Sequence, residues 1–170
     1  MINIPTRSAR ALTKLLKYTY YPISNYDVLH KNNPKLNARF DVAGEEISTR
    51  IELFENRVPR TAGNYKKLLL GNGESNGKKL NLTGVVASRI IPNSYIEFGD
   101  MEGGNYSIYG ERFADESWED LHDAPGLLSS ISEGNTNNSR FLITLGASPS
   151  LDYKNVIFGR LLDLEILKYF

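Results

Sequence analysis

Residues 89–100 read Arg-Ile-Ile-Pro-Asn-Ser-Tyr-Ile-Glu-Phe-Gly-Asp, and this stretch is the most informative part of the 170-residue chain. It begins at the end of an apolar run, 85–91, whose composition predicts a β-strand. Working outward, alternating apolar residues predict a hairpin over 36–54 with a turn at 44–46. Further strands are predicted over 127–131, 141–145 and 156–162.

Two helices are predicted apart from these strands. Residues 61–70 carry apolar side chains on one helical face, and Gly71 would end that helix. Residues 73–79 are polar and glycine-rich and are expected to form a loop, whereas 163–170 predict a short helix. Many short strands with two flanking helices favour an α+β, mostly β domain, in which a closed or nearly closed antiparallel sheet forms a barrel.

Composition narrows the function classes. A chain of this length suits one domain with a real core. It has no cysteine and only two histidines, His30 and His122, so thiolate or histidine-based metal sites have little to draw on. We therefore expect no metal and no cofactor. No apolar run approaches the ~20 residues that a membrane-spanning helix needs.

The zero net charge hides an asymmetry. Residues 1–40 carry seven Lys/Arg and one acidic residue, Asp27, whereas 41–170 carry thirteen basic and nineteen acidic residues. Because phosphate binding needs a basic face, the acidic remainder of the chain argues against nucleic acid as a partner.

The basic excess belongs to an N-terminal extension, predicted as 1–34 and followed by one domain over 35–170. Arg7, Arg10, Lys14 and Lys17 share one side of a helical wheel, opposite a leucine-rich side. Residues 1–26 contain no acidic residue, and such a basic amphipathic segment is typical of a mitochondrial presequence. The alternative is a helix that lies on an anionic membrane or docks on a partner protein through those four cations.

Five further segments, in the same order along the chain, resemble the motifs of the cyclophilin family of peptidyl-prolyl isomerases. They are 54–65, with Val-Pro-Arg-Thr-Ala; 107–116, with Ser-Ile-Tyr-Gly-Glu; 122–129; 135–141, with Asn-Thr-Asn-Asn-Ser-Arg-Phe; and 156–160. The opening stretch, 89–100, resembles the family's active-site strand and turn. The resemblance implies the cyclophilin barrel.

The resemblance also implies a catalytic role for Arg89. Rotation of an X-Pro amide crosses a barrier of ~18–20 kcal/mol, and the prolyl nitrogen becomes pyramidal at the twisted transition state. A guanidinium aimed at that nitrogen stabilises the transition state more than the planar ground state. Leu151 matches the leucine of the family's proline pocket.

Most other positions of the implied groove depart from the family. Ser94 and Tyr95 replace a phenylalanine and a methionine, Phe98 replaces a glycine, and Ser150 replaces a tryptophan. Ser132-Glu133 replaces the Asn-Ala pair that meets the substrate backbone. At Glu97, Arg140, Leu142 and Asn155 the family has Gln, Gln, Phe and His, respectively. The predicted vestigial groove comprises Tyr95, Glu97, Arg140, Leu142, Leu151 and Asn155.

One hypothesis follows from these departures. Glu97 pairs with Arg140 or with Arg89, and this salt bridge closes the site to a substrate and gives Arg89 a structural role.

A second departure lies at the C-terminus. Cyclophilins continue past their last helix into a strand that pairs with the first one, and this sequence ends before such a strand. The apolar residues of 161–170 and the open strand edge then need cover from the N-terminal extension or from a neighbouring subunit.

The sequence therefore predicts a cyclophilin-fold accessory subunit of a large mitochondrial assembly, on the matrix side, with little or no isomerase activity. A respiratory complex, the ATP synthase and the mitochondrial ribosome are all compatible with this interpretation. Its partners would be protein subunits, with the membrane surface as a further contact of the N-terminal helix. The alternatives are a low-efficiency isomerase that uses Arg89 and Leu151, and a module that binds proline peptides without turnover.

Overall fold

An eight-stranded curled sheet forms the centre of the molecule in the computed structural model, which describes residues 2–4 and 31–170. In chain order its strands are β1 (Ile2–Ile4), β2 (Lys35–Val42), β3 (Glu45–Leu53), β6 (Arg89–Ile91), β7 (Tyr95–Phe98), β9 (Leu127–Ser130), β11 (Phe141–Thr144) and β12 (Ile157–Leu161). Across the sheet they lie in the order β1, β2, β3, β12, β9, β11, β7, β6. Within the described residues β1 and β6 are the two edges, so the barrel stays open there.

The β2–β3 hairpin confirms the first predicted pair of strands and corrects its turn. The connection is Ala43-Gly44, with φ of 57° and 87°, and Glu45 already belongs to β3. Two consecutive residues with positive φ match the twist of a tight hairpin. Asp41 fixes the turn, since its Oδ1 accepts the Gly44 amide at 2.8 Å.

Helix α1 (Pro59–Leu69) confirms the predicted helix and packs on the sheet. Tyr65 is fully buried, and its ring stacks on Phe158 at 3.8 Å between centroids. The Tyr65 hydroxyl donates to the Arg140 carbonyl at 2.6 Å, which links the helix to the residue that precedes β11. Burial raises the pKa of this phenol far above its ordinary value, so Tyr65 stays a neutral donor.

The loop expected over 73–79 is a small hairpin instead. Strands β4 (Gly73–Ser75) and β5 (Lys78–Leu80) pair antiparallel around Asn76-Gly77, whose φ values are 51° and 74°. Asn-Gly flanked by two short runs is a strong local hairpin signal, and the polar composition of the segment obscured it. A second small pair joins β8 (Phe113–Ala114) to β10 (Thr136–Asn137).

The predicted C-terminal helix is a 3₁₀ helix, Leu164–Tyr169. Most of the apolar tail that the sequence predicts to need cover is buried within the chain. Ile166, Leu167 and Phe170 are at most 3% exposed, and the ring of Phe170 meets Phe40 edge-on at 5.3 Å. Leu164 remains 37% exposed.

One end of the sheet is extended by the N-terminus. Strand β1 pairs with Phe40–Val42 of β2, in parallel rather than in the antiparallel arrangement expected throughout. The first residues of the chain thus cover part of the edge that the sequence left open. The predicted helix with Arg7, Arg10, Lys14 and Lys17 lies outside the described residues. None of the helices that the structure describes has the length and apolarity to span a membrane.

Candidate peptide groove

A row of side chains crosses three neighbouring strands at the open end of the sheet. Arg89 on β6 is the register partner of Glu97 on β7, and Glu97 is that of Leu142 on β11. Since side chains alternate along a strand, these three lie on one face, while Phe141 and Ile143 point into the core. The predicted groove residues Arg89, Glu97 and Leu142 are therefore brought together.

Glu97 is the electrostatic centre of this face. Its carboxylate lies 3.8 Å from the Arg89 guanidinium and 3.5 Å from that of Arg140. The side chain of Arg89 is 62% exposed, whereas that of Glu97 is 11% exposed. The hypothesised pairing of Glu97 is thus present with both arginines. The family resemblance implies an amide, which also donates, at the position of this acceptor-only carboxylate.

Arg140 connects the groove to two more carboxylates. Its guanidinium lies 3.0 Å from Glu133 and 3.4 Å from Asp100, in addition to Glu97. The Glu133 carboxylate also accepts a hydrogen bond from the Arg112 guanidinium at 2.6 Å. The hydrogen bond and charge of Arg112 lower the pKa of Glu133, and Arg140 adds to this effect. Sequence reasoning missed Asp100 and Arg112, because their role depends on where the loops lie.

The apolar part of the groove offers little accessible surface. Leu142 is 2% exposed and Leu151, in the 3₁₀ helix Pro149–Leu151, is 8% exposed. The family resemblance implies that both occupy positions of the proline pocket. Ser94 is turned toward Ser148, with their hydroxyl oxygens 3.0 Å apart, and Tyr95 is half-buried beside it.

Asn155 serves the protein's own backbone. Its Oδ1 accepts the Ser132 amide at 3.1 Å, and its Nδ2 donates to the Leu151 carbonyl at 3.4 Å. The amide thereby joins the 3₁₀ segment to the loop after β9, and its polar atoms are engaged without a ligand.

Phe98, which stands where the family motif has a glycine, points away from the groove face. The side chain is fully buried in the core, where its ring stacks on Phe141 at 5.5 Å and lies 6.2 Å from Phe40. Period-two alternation through 95–98 contains this signal, since Tyr95 and Glu97 share one face and Ile96 and Phe98 the other.

The next residue, Gly99, must be glycine. Its φ is 101°, and a Cβ there would lie 2.3 Å from the Ser139 carbonyl oxygen. This close approach brings the end of β7 against the residue before Arg140, and the Ser139 hydroxyl donates to the Gly99 carbonyl at 2.7 Å. The arrangement fixes the spacing of Glu97 and Arg140.

A buried set of three hydrogen-bonded side chains adjoins the groove residue Leu151. His122 Nδ1 lies 2.9 Å from Asp152 Oδ1, and Nε2 lies 2.9 Å from the Ser129 hydroxyl. His122 and Ser129 are both 0% exposed, so this Asp-His-Ser set has no access to a substrate. It holds Asp152, and hence the neighbouring Leu151, in place. Burial lowers the pKa of His122, and the Asp152 hydrogen bond opposes that shift.

An open cleft of about 660 Å³ adjoins the charged face. It lies between 78–86 and 100–106, and its lining includes Lys78, Lys79, Asp100, Glu102 and Tyr106. Asp100 belongs both to this cleft and to the Arg140 network. Among the described residues no three His, Asp or Glu side chains are placed to hold a metal ion together.

Comparison with known proteins agrees with this architecture. The family "Cyclophilin type peptidyl-prolyl cis-trans isomerase/CLD" matches residues 39–168. The chain belongs to the cyclophilin family. Its relatives include the E3 SUMO-protein ligase RanBP2 of Homo sapiens, 42% identical over 132 aligned residues, in a match that covers 73% of this chain and 4% of that protein. Peptidyl-prolyl cis-trans isomerase D of Mycosarcoma maydis is 44% identical over 119 residues, 66% of this chain and 30% of that protein.

The chain thus spans only a small part of the length of these curated relatives. The resemblance stated from the sequence motifs is confirmed at the level of the family and of its mostly β fold. The roles of the individual groove residues stay predictions, as does the division of the chain at residue 34.

Proposed function

We propose that this cyclophilin domain has little or no isomerase activity and acts as an accessory structural subunit of a large mitochondrial assembly. One observation carries the first half of the proposal. The carboxylate of Glu97 lies between Arg89 and Arg140, at 3.8 and 3.5 Å. The guanidinium that would act on a prolyl nitrogen is therefore engaged by a neighbouring anion.

The physical argument concerns the difference between ground and transition states. Catalysis requires the Arg89 cation to interact more strongly with the pyramidal nitrogen of the twisted amide than with the planar amide. A carboxylate beside that cation competes for it and reduces the positive potential at the reacting nitrogen. The pocket also lacks the ring-binding phenylalanine, whose loss could remove ~2 kcal/mol of apolar burial.

An isomerisation assay on a proline tetrapeptide tests this part. The wild-type protein and Arg89→Ala are expected to leave the uncatalysed rate unchanged. The double variant Glu97→Gln with Arg140→Gln, which removes both groove charges, tests whether the ion pairs are the cause of inactivity; a rate increase that Arg89→Ala abolishes would show that they are. Wild-type acceleration that disappears in Arg89→Ala would contradict the proposal and establish an isomerase.

The assembly half of the proposal rests on the chain's charge distribution. Residues 1–26 are basic, amphipathic and free of acidic residues, which suits a mitochondrial address or a helix that docks on a protein or membrane surface. The acidic remainder disfavours direct contact with ribosomal RNA, so a respiratory complex or the ATP synthase fits better than the mitochondrial ribosome.

The native size of the endogenous protein tests the second half. Mitochondria are solubilised gently and fractionated on a native gel, and each fraction is identified by mass spectrometry. Co-migration with a complex of hundreds of kilodaltons is expected. Migration near the 19.1 kDa of the chain itself would overturn the assembly role.

A low-efficiency isomerase is the second candidate, and two observations favour it. The Arg89 side chain is 62% exposed and so is accessible to a peptide. One relative is named peptidyl-prolyl cis-trans isomerase D, at 44% identity. The same assay separates the candidates, and binding of a proline peptide without turnover would instead indicate a recognition module.

A further inference from the structure

The edge of β2 is only partly covered. Strand β1 pairs with Phe40–Val42. Among residues 2–4 and 31–170, no strand pairs with 36–39 on that side, although β3 pairs along the whole length of β2 on the other. A row of backbone groups therefore continues beyond β1, and an extended segment could lengthen the sheet there.

Two cavities flank this uncovered stretch, and Asn37 and Arg39 line both of them. The first has a volume of about 230 Å³ and is largely apolar, with Leu36, Ala38, Ile51, Leu70 and Leu82 in its lining. Leu70 is 51% exposed there, which is unusual for a leucine of this protein. An added strand would point every second side chain into this cavity.

The second cavity has a volume of about 330 Å³, and its lining residues carry polar or charged groups, among them Arg39, Ser48, Arg50 and Asp163. The side chains of Arg39 and Arg50 are 68% and 60% exposed. Their partners, Glu46 at 3.6 Å and Asp163 at 3.4 Å, are also exposed. Such pairs contribute little, so incoming carboxylates can replace them.

We propose that 36–39 of β2 is a docking edge for an extended segment of a partner protein in which apolar and acidic residues alternate. The apolar side chains of the partner segment enter the first cavity, and its acidic side chains face Arg39 and Arg50. Main-chain hydrogen bonds between the segment and β2 continue the sheet. The inference rests on the proposed role as an assembly subunit, since it names the contact through which a partner is held.

The charges near this edge favour an acidic partner segment over a second copy of the chain and over residues 5–30 of the same chain. Residues 31–40 contain three basic residues and no acidic one, so a second copy pairing edge to edge would bring like charges together. The segment 5–30 of the same chain carries Arg7, Arg10, Lys14 and Lys17 against the single acidic residue Asp27. A partner with carboxylates at alternate positions can take the places of Glu46 and Asp163 beside the two arginines.

Fluorescence polarisation of a labelled Val-Glu-Val-Glu-Val-Glu-Val peptide with the full chain tests the proposal. Binding is expected, and a Val-Lys peptide of equal length should bind about tenfold more weakly or not at all. Arg39→Glu should weaken binding of the acidic peptide about tenfold and improve that of the basic one. The matched control Arg60→Glu, at the far end of α1, should change neither.

Hydrogen exchange locates the contact. The acidic peptide is expected to protect the amides of 36–39, and a peptide with N-methylated amides should fail to bind. Three outcomes overturn the inference: no binding, amides of 36–39 already protected and unchanged by peptide, or a dimer in sedimentation that Arg39→Glu dissociates. If the protein co-migrates with a large complex yet ignores the peptide, this inference fails alone. If the peptide binds but the native protein migrates by itself, the proposed assembly role fails alone.

Discussion

At the scale of single residues, Arg140 joins Glu97, Asp100 and Glu133 and so holds the groove face in its present charge arrangement. Its side chain is 25% exposed and that of Glu97 is 11% exposed. Partial burial strengthens such a pair relative to one on the open surface, since less water screens it.

A double-mutant cycle with Arg140→Gln and Glu97→Gln measures that pair. We expect a coupling of about 1 kcal/mol in the free energy of unfolding by urea, because both groups are partly withdrawn from water. The same cycle on Arg39 and Glu46, whose side chains are 68% and 45% exposed, should give less than about 0.5 kcal/mol. Equal couplings at the two sites would show that Arg140 and Glu97 do not act as a partly buried pair.

His122 gives the protein a dependence of stability on pH. Its pKa in the folded state is lowered below 6.5, chiefly by burial, although Asp152 opposes the shift. The unfolded state therefore binds the proton more readily, and the stability that His122 contributes is present above pH 6.5. It is lost as the pH falls from there through the folded-state pKa.

The wild type should thus lose stability between pH 7.5 and 5.5 more steeply than His122→Gln, with a slope difference of up to about 1.4 kcal/mol per pH unit. Urea unfolding at four pH values measures it, and the difference between the two proteins removes the contribution of the carboxylates. His30→Gln serves as the control for a histidine outside the described residues. Parallel slopes for wild type and His122→Gln would refute the argument.

At the scale of elements, helix α1 is capped by a side chain from a distant loop. Val58, the residue before the helix, provides no side-chain cap. The Glu116 carboxylate instead accepts the amides of Arg60 and Thr61 at 3.1 and 2.8 Å, and the Thr61 hydroxyl at 3.0 Å. An anion at a helix N-terminus satisfies free amides and complements the helix dipole.

Glu116→Gln should keep one acceptor and lose the charge, and Glu116→Ala should lose both. We expect losses of roughly 0.5 and 1–2 kcal/mol, respectively, in the free energy of unfolding. Glu111→Gln, at an exposed position of the same acidic segment, should change stability by less than about 0.5 kcal/mol. Thermal or urea unfolding of the three variants checks the order, and an effect of Glu111→Gln as large as that of Glu116→Ala would contradict it.

These elements also show how far sequence reasoning extends. Alternation and stop signals identified the β2–β3 hairpin and α1, because local patterns follow which face is buried. The capping role of Glu116 has no local signal in the sequence, because its partner Thr61 lies 55 positions away. Glu97 and Arg140 were predicted to meet because the family motifs place them on facing positions. The inward turn of Asn155 depends on loop packing that no local pattern records.

At the scale of the whole molecule, the open barrel depends on what lies along its edges. Strand β1 contributes three residues in parallel to Phe40–Val42, and parallel pairing over so short a length is weak by itself. By pairing with β2, it occupies backbone groups that would otherwise be exposed at the edge and could pair with another chain. The N-terminus thus has a role in the domain besides any in targeting.

Replacing Ile2-Asn3-Ile4 by Gly-Ser-Gly should detach β1 without shortening the chain, because glycine and serine disfavour strands. We expect faster hydrogen exchange at the amides of β2 that face β1, since their hydrogen bonds to β1 are lost. The matched control, Ile2→Val with Ile4→Val, keeps strand-forming side chains and should exchange as the wild type does. If exchange in the Gly-Ser-Gly variant is unchanged, β1 does not protect this edge in solution.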